Sequence, residues 1–182
     1  MIRALWTRMQ GRGRCPPRKS LSYIVWSWVA SFVGIYLVSV ISDLTNLSFL
    51  DNVFLIGSFG ASAVLIYAAP EVEYAQPRNL IGGHAISAFV GITVYKYASF
   101  DLNILAALAV SISILLMHLT RTVHPPGGAT ALIAVIGSEY LHHMGYQYMI
   151  TVAIGACCML VVALIVNNLS SDSLRHYPRY WI

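Results

Sequence analysis

The stretch His124-Pro125-Pro126-Gly127-Gly128-Ala129-Thr130-Ala131-Leu132 decides how this chain folds, because its first five residues oppose regular structure inside an otherwise apolar sequence. Proline lacks an amide hydrogen and disfavours helix in the residue before it, so we expect the chain to reach Gly127 in an extended or turned conformation. The two glycines permit tight turns and close approach of the backbone. A helix is then expected to start at about Ala129, with first-turn amides that have no partner within the helix.

Composition places this stretch in a membrane. Of 182 residues, 58% are hydrophobic and 10% are charged, and the mean hydropathy is +0.69, whereas soluble domains carry about 25% charged residues. Seven acidic residues cannot provide a hydrated surface for a globule of this size, so the sequence predicts an all-α integral membrane protein. The three cysteines follow no disulfide or metal-binding spacing, and we expect neither a metal nor a cofactor.

Uncharged runs of helical length occur six times. The second and the fifth are short and begin in glycine-rich sequence. From Gly57 to Ala69 the chain would form about 20 Å of helix, against a hydrocarbon core about 30 Å thick. Two topologies stay open: six crossings, or four crossings with the two short segments re-entrant. The six runs are Tyr23–Ile41, Phe54–Ala69, Leu80–Tyr95, Leu102–Thr120, Gly127–Tyr140 and Tyr148–Val166.

Basic residues favour six crossings with both termini cytoplasmic. The first 20 residues carry six basic and no acidic side chains. Topology control is the simplest interpretation of this tail, and organelle targeting or binding to anionic lipid are the alternatives. Six crossings place the tail, Arg78, Arg121, Arg175 and Arg179 inside and leave only Lys96 outside, whereas four crossings strand Arg78 and Arg121 outside.

When the sequence is aligned with itself at an offset of 68 positions, the two short segments match. Residues 60–66 then match residues 128–134, and the third hydrophobic segment matches the sixth. With three crossings in each half, we expect two inverted three-helix repeats, in which the second helix of each is short and broken at its Gly/Pro-rich motif. Chance recurrence of small residues in membrane helices is the alternative. The predicted divisions are a basic cytoplasmic tail (1–20), a transmembrane domain (21–172, with repeats of about 21–98 and 102–168) and a cytoplasmic C-terminal tail (173–182).

Two opposed helix N-termini are predicted to flank one central anion site. A helix N-terminus carries roughly half a positive charge and converging N–H groups, so a small anion is stabilised there without a buried arginine. Ser62 matches Thr130, and each hydroxyl either touches the ligand or bonds to a carbonyl of its own helix. The predicted binding residues are Gly57, Ser58, Phe59, Gly60, Ala61, Ser62, His124, Pro125, Pro126, Gly127, Gly128, Ala129 and Thr130.

Four further residues are candidates for a vestibule or gate: Arg78, Asn79, His84 and Arg121. For the two arginines the alternative is anchoring at the membrane interface. His124 is the only titratable group inside the second motif. It is interpreted as a donor to an anion, as a proton carrier or as a neutral structural group.

Longer blocks of the chain resemble the HPP family of integral membrane proteins. They are His124-Pro125-Pro126 itself, GSFGASAVL from Gly57, AQPRNLIGGH from Ala75, LTRTVHPPGGATALIAV from Leu119, and VNNL followed by RHYPRYW near the last residue. The family implies a compact membrane domain, and members in cyanobacteria and chloroplasts are linked to nitrite transport. The resemblance thus favours a bacterial inner (plasma) membrane, with the chloroplast envelope as the alternative. Other relatives carry fused CBS or signalling modules, which we do not expect here because the chain stops soon after its last helix.

These observations predict a channel, or a passive or proton-coupled carrier, for a small monovalent anion. The residues indicate a small anion near the midplane, and the resemblance adds nitrite; nitrate, formate, chloride and bicarbonate satisfy the same donors. The alternative is a membrane module that senses a ligand or acts as a scaffold without moving anything. We expect no enzyme, because no paired carboxylates, metal ligands or GxSxG elbow accompany His124. We also expect the lipid bilayer and a second copy, as a homodimer, to be partners, and no nucleic acid.

Overall fold

The computed structural model describes residues 6, 8, 9, 13–43 and 49–182, with side chains described for all of these except 43, 49–51 and 53–56. The regular structure of the described residues is entirely helical, which confirms the all-α prediction. The predicted basic tail lies partly outside the described residues, at 1–5, 7 and 10–12, as do residues 44–48. The α-helices are α1 (Leu21–Asp43), α2 (Phe49–Ala68), α3 (Pro77–Tyr97), α4 (Leu102–Thr120), α5 (Pro125–Ile136), α6 (Glu139–Met144) and α7 (Gln147–Leu169), and short 3-10 helices lie at Glu73–Ala75 and Ser173–Arg175.

Three helices of the described residues are long and apolar enough to cross a membrane by length and composition. These are α1, α4 and α7, with 23, 19 and 23 residues, or about 29–35 Å of helix. A helix pairs its own backbone groups, which is what a bilayer without internal water demands. α2 and α3 have a similar length, 20 and 21 residues, and α3 carries a basic residue near each end, Arg78 and Lys96.

Successive long helices run in opposite directions between two faces of the bundle. At one face, called the terminal face below, the start of α1 meets the end of α2, where Tyr23 Oη lies 3.1 Å from the Ala68 carbonyl oxygen and 2.7 Å from the Glu71 carboxylate. The end of α7 reaches the same face, because Asn167 Nδ2 donates to the Ile66 carbonyl at 2.8 Å. The opposite face carries the α3–α4 connection and the segment from the end of α5 to the start of α7.

α3 and α5 pack closely through small residues. At Gly91, a methyl group would lie 2.6 Å from both the Ala131 carbonyl oxygen and Ala134 Cβ, so no larger residue fits there without a shift. In a membrane, lipid tails are as apolar as the side chains, and close van der Waals contact holds helices together. This contact fixes α5 beside the middle of α3.

α2 is one continuous helix, and the predicted break before Gly57 is wrong. Its 20 residues include the whole motif from Gly57 to Ser62, so α2 is also not short. A glycine inside a helix costs about 1 kcal/mol relative to alanine, which does not end a helix that packs well. Phe59 and Ile66 are fully buried in this helix. The first half of the chain therefore lacks the interruption that the second half has.

α5 is the short interrupted element that the sequence predicts, but it starts four residues earlier than Ala129. His124 precedes the helix in an extended conformation (φ −136°, ψ 102°), and Pro125 and Pro126 form its first two positions. Proline suits these positions, since its fixed φ matches the helix and an amide there would lack a helical partner. The prolines therefore begin the helix instead of preceding it.

The predicted fifth segment divides into two helices. α5 ends at Ile136, and α6 follows after Gly137 and Ser138. Ser138 Oγ accepts a hydrogen bond from the Leu141 amide at 3.3 Å, which is the usual way for serine to begin a helix. The segment to Tyr140 is thus not one helix.

The C-terminal segment packs onto the terminal face. Arg175 is fully buried. Its guanidinium donates to the carbonyls of Tyr23 (3.1 Å) and Tyr67 (3.0 Å) and to Asn167 Oδ1 (2.6 Å). These bonds join the start of α1 to the ends of α2 and α7, so the residues predicted as a tail from 173 onward help to close the bundle.

Candidate functional site

Five buried polar side chains meet near the centre of the fold. Ser58 and Ser62 come from α2, His84 from α3, and His124 and Thr130 from the start of α5. All five are 0–1% exposed, and we call them the polar cluster. Ser62 lies about 9 Å along α2 from its end at the terminal face, at 1.5 Å per residue. The polar cluster is therefore inside the bundle and away from its surface.

The polar cluster is a continuous chain of hydrogen bonds. Ser62 Oγ lies 2.8 Å from Nε2 of His84 and 2.8 Å from Nε2 of His124. On its other side, His84 Nδ1 lies 2.8 Å from Thr130 Oγ1, which in turn lies 2.8 Å from Ser58 Oγ. The two imidazole centroids are 4.9 Å apart. One hydroxyl thus bridges two imidazoles.

A backbone carbonyl anchors one end of this chain. His124 Nδ1 lies 2.8 Å from the Tyr74 carbonyl oxygen, in the 3-10 helix Glu73–Ala75. Because a carbonyl only accepts, Nδ1 carries a hydrogen. The same turn is held from outside by the C-terminal segment, since Tyr177 Oη donates to the Ala75 carbonyl at 2.8 Å. The C-terminal segment therefore supports the carbonyl that orients His124.

Two glycines let α5 approach α3 closely enough to form the polar cluster. A Cβ at Gly83 would lie 2.4 Å from His124 Cβ. A Cβ at Gly127 would lie 2.7 Å from Ser87 Oγ and 3.0 Å from the Gly83 carbonyl oxygen. A larger residue at either position would push His124 away from His84.

The first three positions of α5 offer no free amide to an anion. Pro125 and Pro126 have no amide hydrogen, and the Gly127 amide donates to the His124 carbonyl at 2.8 Å. α2 runs unbroken through residues 57–62, so it presents no helix N-terminus at the centre, and the predicted pair of opposed N-termini is not formed. The donors at the centre are hydroxyls and imidazoles.

The remaining predicted binding residues surround the polar cluster at different depths. The Phe59 ring lies against His84, with centroids 5.2 Å apart, and the Pro126 carbonyl oxygen lies 3.1 Å from Ser58 Oγ. Phe59, Pro126 and Gly127 are buried, Gly60, Gly128 and Ala129 are half-buried, and Gly57, Ala61 and Pro125 are exposed.

Of the predicted vestibule residues, only His84 joins the polar cluster. Arg78 Nη2 donates to the Thr120 carbonyl at 2.8 Å, and the exposed Arg121 ends α4 in a left-handed conformation (φ 57°). Asn79 is buried, and its Nδ2 donates to the Val123 carbonyl at 2.8 Å. Arg78 thus satisfies a carbonyl at the end of α4, which is a common role for a basic residue near a helix C-terminus.

Sequence reasoning missed two contributors to this site. The Tyr74 carbonyl is a backbone atom, which no side-chain pattern reveals. Tyr148 of α7 is fully buried and donates to the Thr130 carbonyl at 3.2 Å, although a tyrosine near the end of a membrane helix is usually interpreted as an interfacial anchor. Among the described residues, no three His, Cys, Asp or Glu side chains are grouped so as to hold a metal ion.

Comparisons with known proteins identify the class of molecule. The family model described as "HPP, transmembrane region" matches residues 16–178. Two transmembrane proteins of Dictyostelium discoideum are similar to the chain. One is 42% identical over 177 residues, which are 96% of this chain and 56% of that protein. The other is 45% identical over 174 residues, which are 94% of this chain and 60% of that protein. The chain thus spans less than two thirds of these relatives. No solved structure matches it.

Proposed function

The chain belongs to the HPP family of transmembrane proteins, and from the geometry of its polar cluster we propose that it carries a small monovalent anion across a membrane together with one proton. The observation behind the proposal is the position of Ser62 Oγ, 2.8 Å from Nε2 of both His84 and His124. Nitrite is the favoured anion because the family resemblance implies it. The polar cluster itself would suit any small anion that accepts hydrogen bonds.

Hydrogen positions in the resting polar cluster follow from its anchoring carbonyl. His124 donates from Nδ1 to that carbonyl, so the neutral ring accepts at Nε2, and Ser62 is the donor. Ser62 has only one hydroxyl hydrogen and therefore accepts from Nε2–H of His84. His84 then accepts at Nδ1 from Thr130. All donors point the same way, and the chain of bonds forms an unbranched path for a proton.

One added proton fits this arrangement without movement of a heavy atom. When His124 takes it at Nε2, both imidazoles donate to Ser62 Oγ. The hydroxyl hydrogen of Ser62 then turns towards the Ser58 carbonyl oxygen, 3.4 Å away. Histidine is the side chain whose charge ordinarily changes near neutral pH, so the polar cluster is suited to take up and release a proton.

The resulting positive charge favours entry of an anion. In the described part of the chain, the hydrogen-bond partners of the five side chains are one another and backbone carbonyls, none of which carries a negative charge. A buried charge without a partner costs several kcal/mol or more. A monovalent anion that displaced the Ser62 hydroxyl from between the imidazoles would accept both Nε2–H groups and neutralise the site. We therefore expect proton and anion to move together in a ratio of one to one.

We also infer that the two halves of the chain are inverted repeats centred on the polar cluster. Under the shift of 68 positions, Ser58 corresponds to Pro126 and Ser62 to Thr130. Residues that are equivalent by a two-fold axis touch each other only near that axis, and Ser58 Oγ lies 3.1 Å from the Pro126 carbonyl oxygen. This contact supports an axis through the polar cluster, where transporters built from inverted repeats bind their substrates.

Uptake into proteoliposomes tests the proposal. Nitrite, nitrate, formate and chloride are offered with and without a pH gradient, well above the pKa of nitrous acid (about 3), because the neutral acid crosses lipid unaided. We expect saturable nitrite uptake that rises when protons are driven inward. Uptake of all four anions no faster than into empty liposomes would contradict the proposal. Binding of nitrite without uptake would instead support a sensing or scaffolding module.

Two histidine variants distinguish a loss of uptake caused at the polar cluster from a general effect of replacing a histidine. His124→Gln keeps a donor near the Tyr74 carbonyl but cannot carry a proton, and should reduce proton-driven uptake about 100-fold. The matched control is His118→Gln, because His118 is exposed in the last turn of α4. Its uptake should equal that of the wild type. Equal losses in both variants would remove His124 from the mechanism.

A further inference from the structure

A cleft at the opposite face of the bundle collects basic groups. It has a volume of about 470 Å³ and lies between the end of α3 and the end of α6. We call it the Lys96 cleft. None of its lining residues carries a carboxylate, and three carry groups that are positive at or below neutral pH. The lining residues are Ile92, Tyr95, Lys96, His142, His143 and Gly145.

Both imidazoles of the Lys96 cleft are held in fixed orientations. The His142 ring is stacked on Tyr95, with centroids 3.6 Å apart and an interplanar angle of 16°, and its Nε2 lies 3.2 Å from the Val135 carbonyl oxygen. His143 Nδ1 lies 2.7 Å from the Glu139 carbonyl oxygen. Since carbonyls only accept, each ring uses one N–H for anchoring. A protonated His143 ring has a second N–H, at Nε2, which a ligand in the cleft can accept.

Aromatic rings position the ammonium group of this cleft. Lys96 Nζ lies 5.4 Å from the ring centroid of Tyr97 and 5.7 Å from that of Tyr146. Tyr146 is itself fixed, because its hydroxyl lies 3.1 Å from Thr93 Oγ1. Ring faces attract a cation but form no ion pair with it, so these contacts hold the ammonium group at the cleft without using its hydrogen-bond donors.

We propose that the Lys96 cleft is a second binding site for a small anion, at the mouth of the pathway opposite to the terminal face. This rests on the proposed function, and it extends that function by giving the anion a charged site in water before it reaches the neutral polar cluster. A permanent ammonium and two imidazoles in one concave site attract anions, and a concave site focuses such a field.

In the described part of the chain, the carboxylates of Asp101 and Glu139 are not among the residues that line this cleft. Asp101, at the start of α4, accepts hydrogen bonds from the amides of Asn103 and Ile104 at 3.0 and 3.2 Å. Glu139 begins α6 and is not among the lining residues. The titratable groups among the described lining residues are Tyr95, Lys96, His142 and His143.

Equilibrium binding tests this site without any need for transport. The purified protein, with ¹⁵N-labelled histidine, is placed in nanodiscs of phosphatidylcholine and titrated with nitrite. The ring signals of His142 and His143 are assigned from His→Gln variants. We expect saturating shifts of these signals, weakened about fivefold or more in Lys96→Gln and retained in Lys96→Arg. Lys19→Gln is the matched control, because Lys19 pairs with Glu71 at the terminal face.

The possible results discriminate between occupants and between proposals. Nitrite titrations that are identical in the wild type and Lys96→Gln overturn the site. Shifts that appear in nanodiscs containing phosphatidylglycerol without nitrite, and that nitrite cannot reverse, also overturn it and identify a lipid headgroup as the occupant. Binding that depends on Lys96 in a protein that moves no anion supports the site and contradicts only the proposed function. A Lys96→Gln variant that raises KM for uptake at unchanged kcat supports both.

Discussion

The two motifs that supply four of the five side chains of the polar cluster share small residues and a hydroxyl at matching positions, yet their backbones differ. Gly57–Ser62 lies in the interior of α2, whereas Pro125–Thr130 forms the first turns of α5. Gly57 and Pro125 occupy equivalent positions under the shift of 68. Glycine permits an interruption of a membrane helix but does not impose one, while proline removes a hydrogen bond and crowds the preceding turn. The prolines therefore account for the difference.

Exchanging the two equivalent residues is the most direct way to break this comparison. Gly57→Pro should cost about 3 kcal/mol or more, because it places proline in the interior of a continuous helix. Pro125→Gly should cost only about 1 kcal/mol, because it loosens the first position of a helix. Thermal unfolding in a mild detergent measures both. An unchanged Tm for Gly57→Pro would mean that α2 is interrupted at its motif after all.

Removal of the Ser62 hydroxyl, one of the two that α2 contributes, should have an effect of similar size. Ser62→Ala leaves Nε2 of both His84 and His124 without a partner, at about 1–3 kcal/mol for each buried polar group. We expect a lower Tm and the loss of proton-driven nitrite uptake. Ser62→Thr keeps the hydroxyl and serves as the control. Normal uptake by Ser62→Ala would show that the path between the imidazoles is not used.

Alanine substitution at one glycine of each motif sharpens the comparison further. At Gly127 a Cβ would meet the Gly83 carbonyl oxygen at 3.0 Å, whereas at Gly60 nothing lies within 4 Å of it. Gly127→Ala should therefore destabilise by about 1 kcal/mol or more through overpacking. Gly60→Ala should stabilise by up to about 1 kcal/mol, since alanine suits a helix interior better. The two Tm shifts should have opposite signs, and equal signs would contradict the different roles of these glycines.

A change at the terminal face, outside both motifs, should have the smallest effect. Burial alone would raise the pKa of Glu71, but hydrogen bonds from Lys19 and Tyr23 outweigh it and hold the pKa below its usual range. The carboxylate therefore adds stability above its unfolded-state pKa, and this is lost as the pH falls through the lowered value. Glu71→Gln should cost at most about 1 kcal/mol at neutral pH. A Tm difference from the wild type that grows on acidification would contradict this.

The sequence was sufficient for the helical membrane architecture and for most residues of the polar cluster. The six hydrophobic runs are helical over most of their length, with a break at Gly137 and Ser138 in the fifth, because a helix satisfies its own backbone hydrogen bonds in lipid. Serine, threonine and histidine beside glycines stood out in so apolar a chain. His124 is extended, as expected of a residue before proline.

The remaining features of the fold and the site depend on tertiary contacts. The sequence places His84 among the vestibule residues and not the binding residues, because only the packing of α3 on α5, at Gly83, brings it to His124. The continuity of α2 depends on burial of side chains such as Phe59, which outweighs the weak helix preference of glycine. The Tyr74 carbonyl has no signature in the sequence at all.

Neutral groups alone compose the polar cluster, and this determines how the membrane potential acts on transport. A carrier whose binding site has no net charge when empty, and none when it holds an anion with a proton, transfers no electrical charge in either direction. One elementary charge moved through a potential of 100 mV is worth about 2.3 kcal/mol, and this carrier would gain or lose none of it. Nitrite uptake should then follow the pH gradient and be unaffected by a potassium diffusion potential of either sign. Uptake that changes with voltage would show that proton and anion do not cross as a pair.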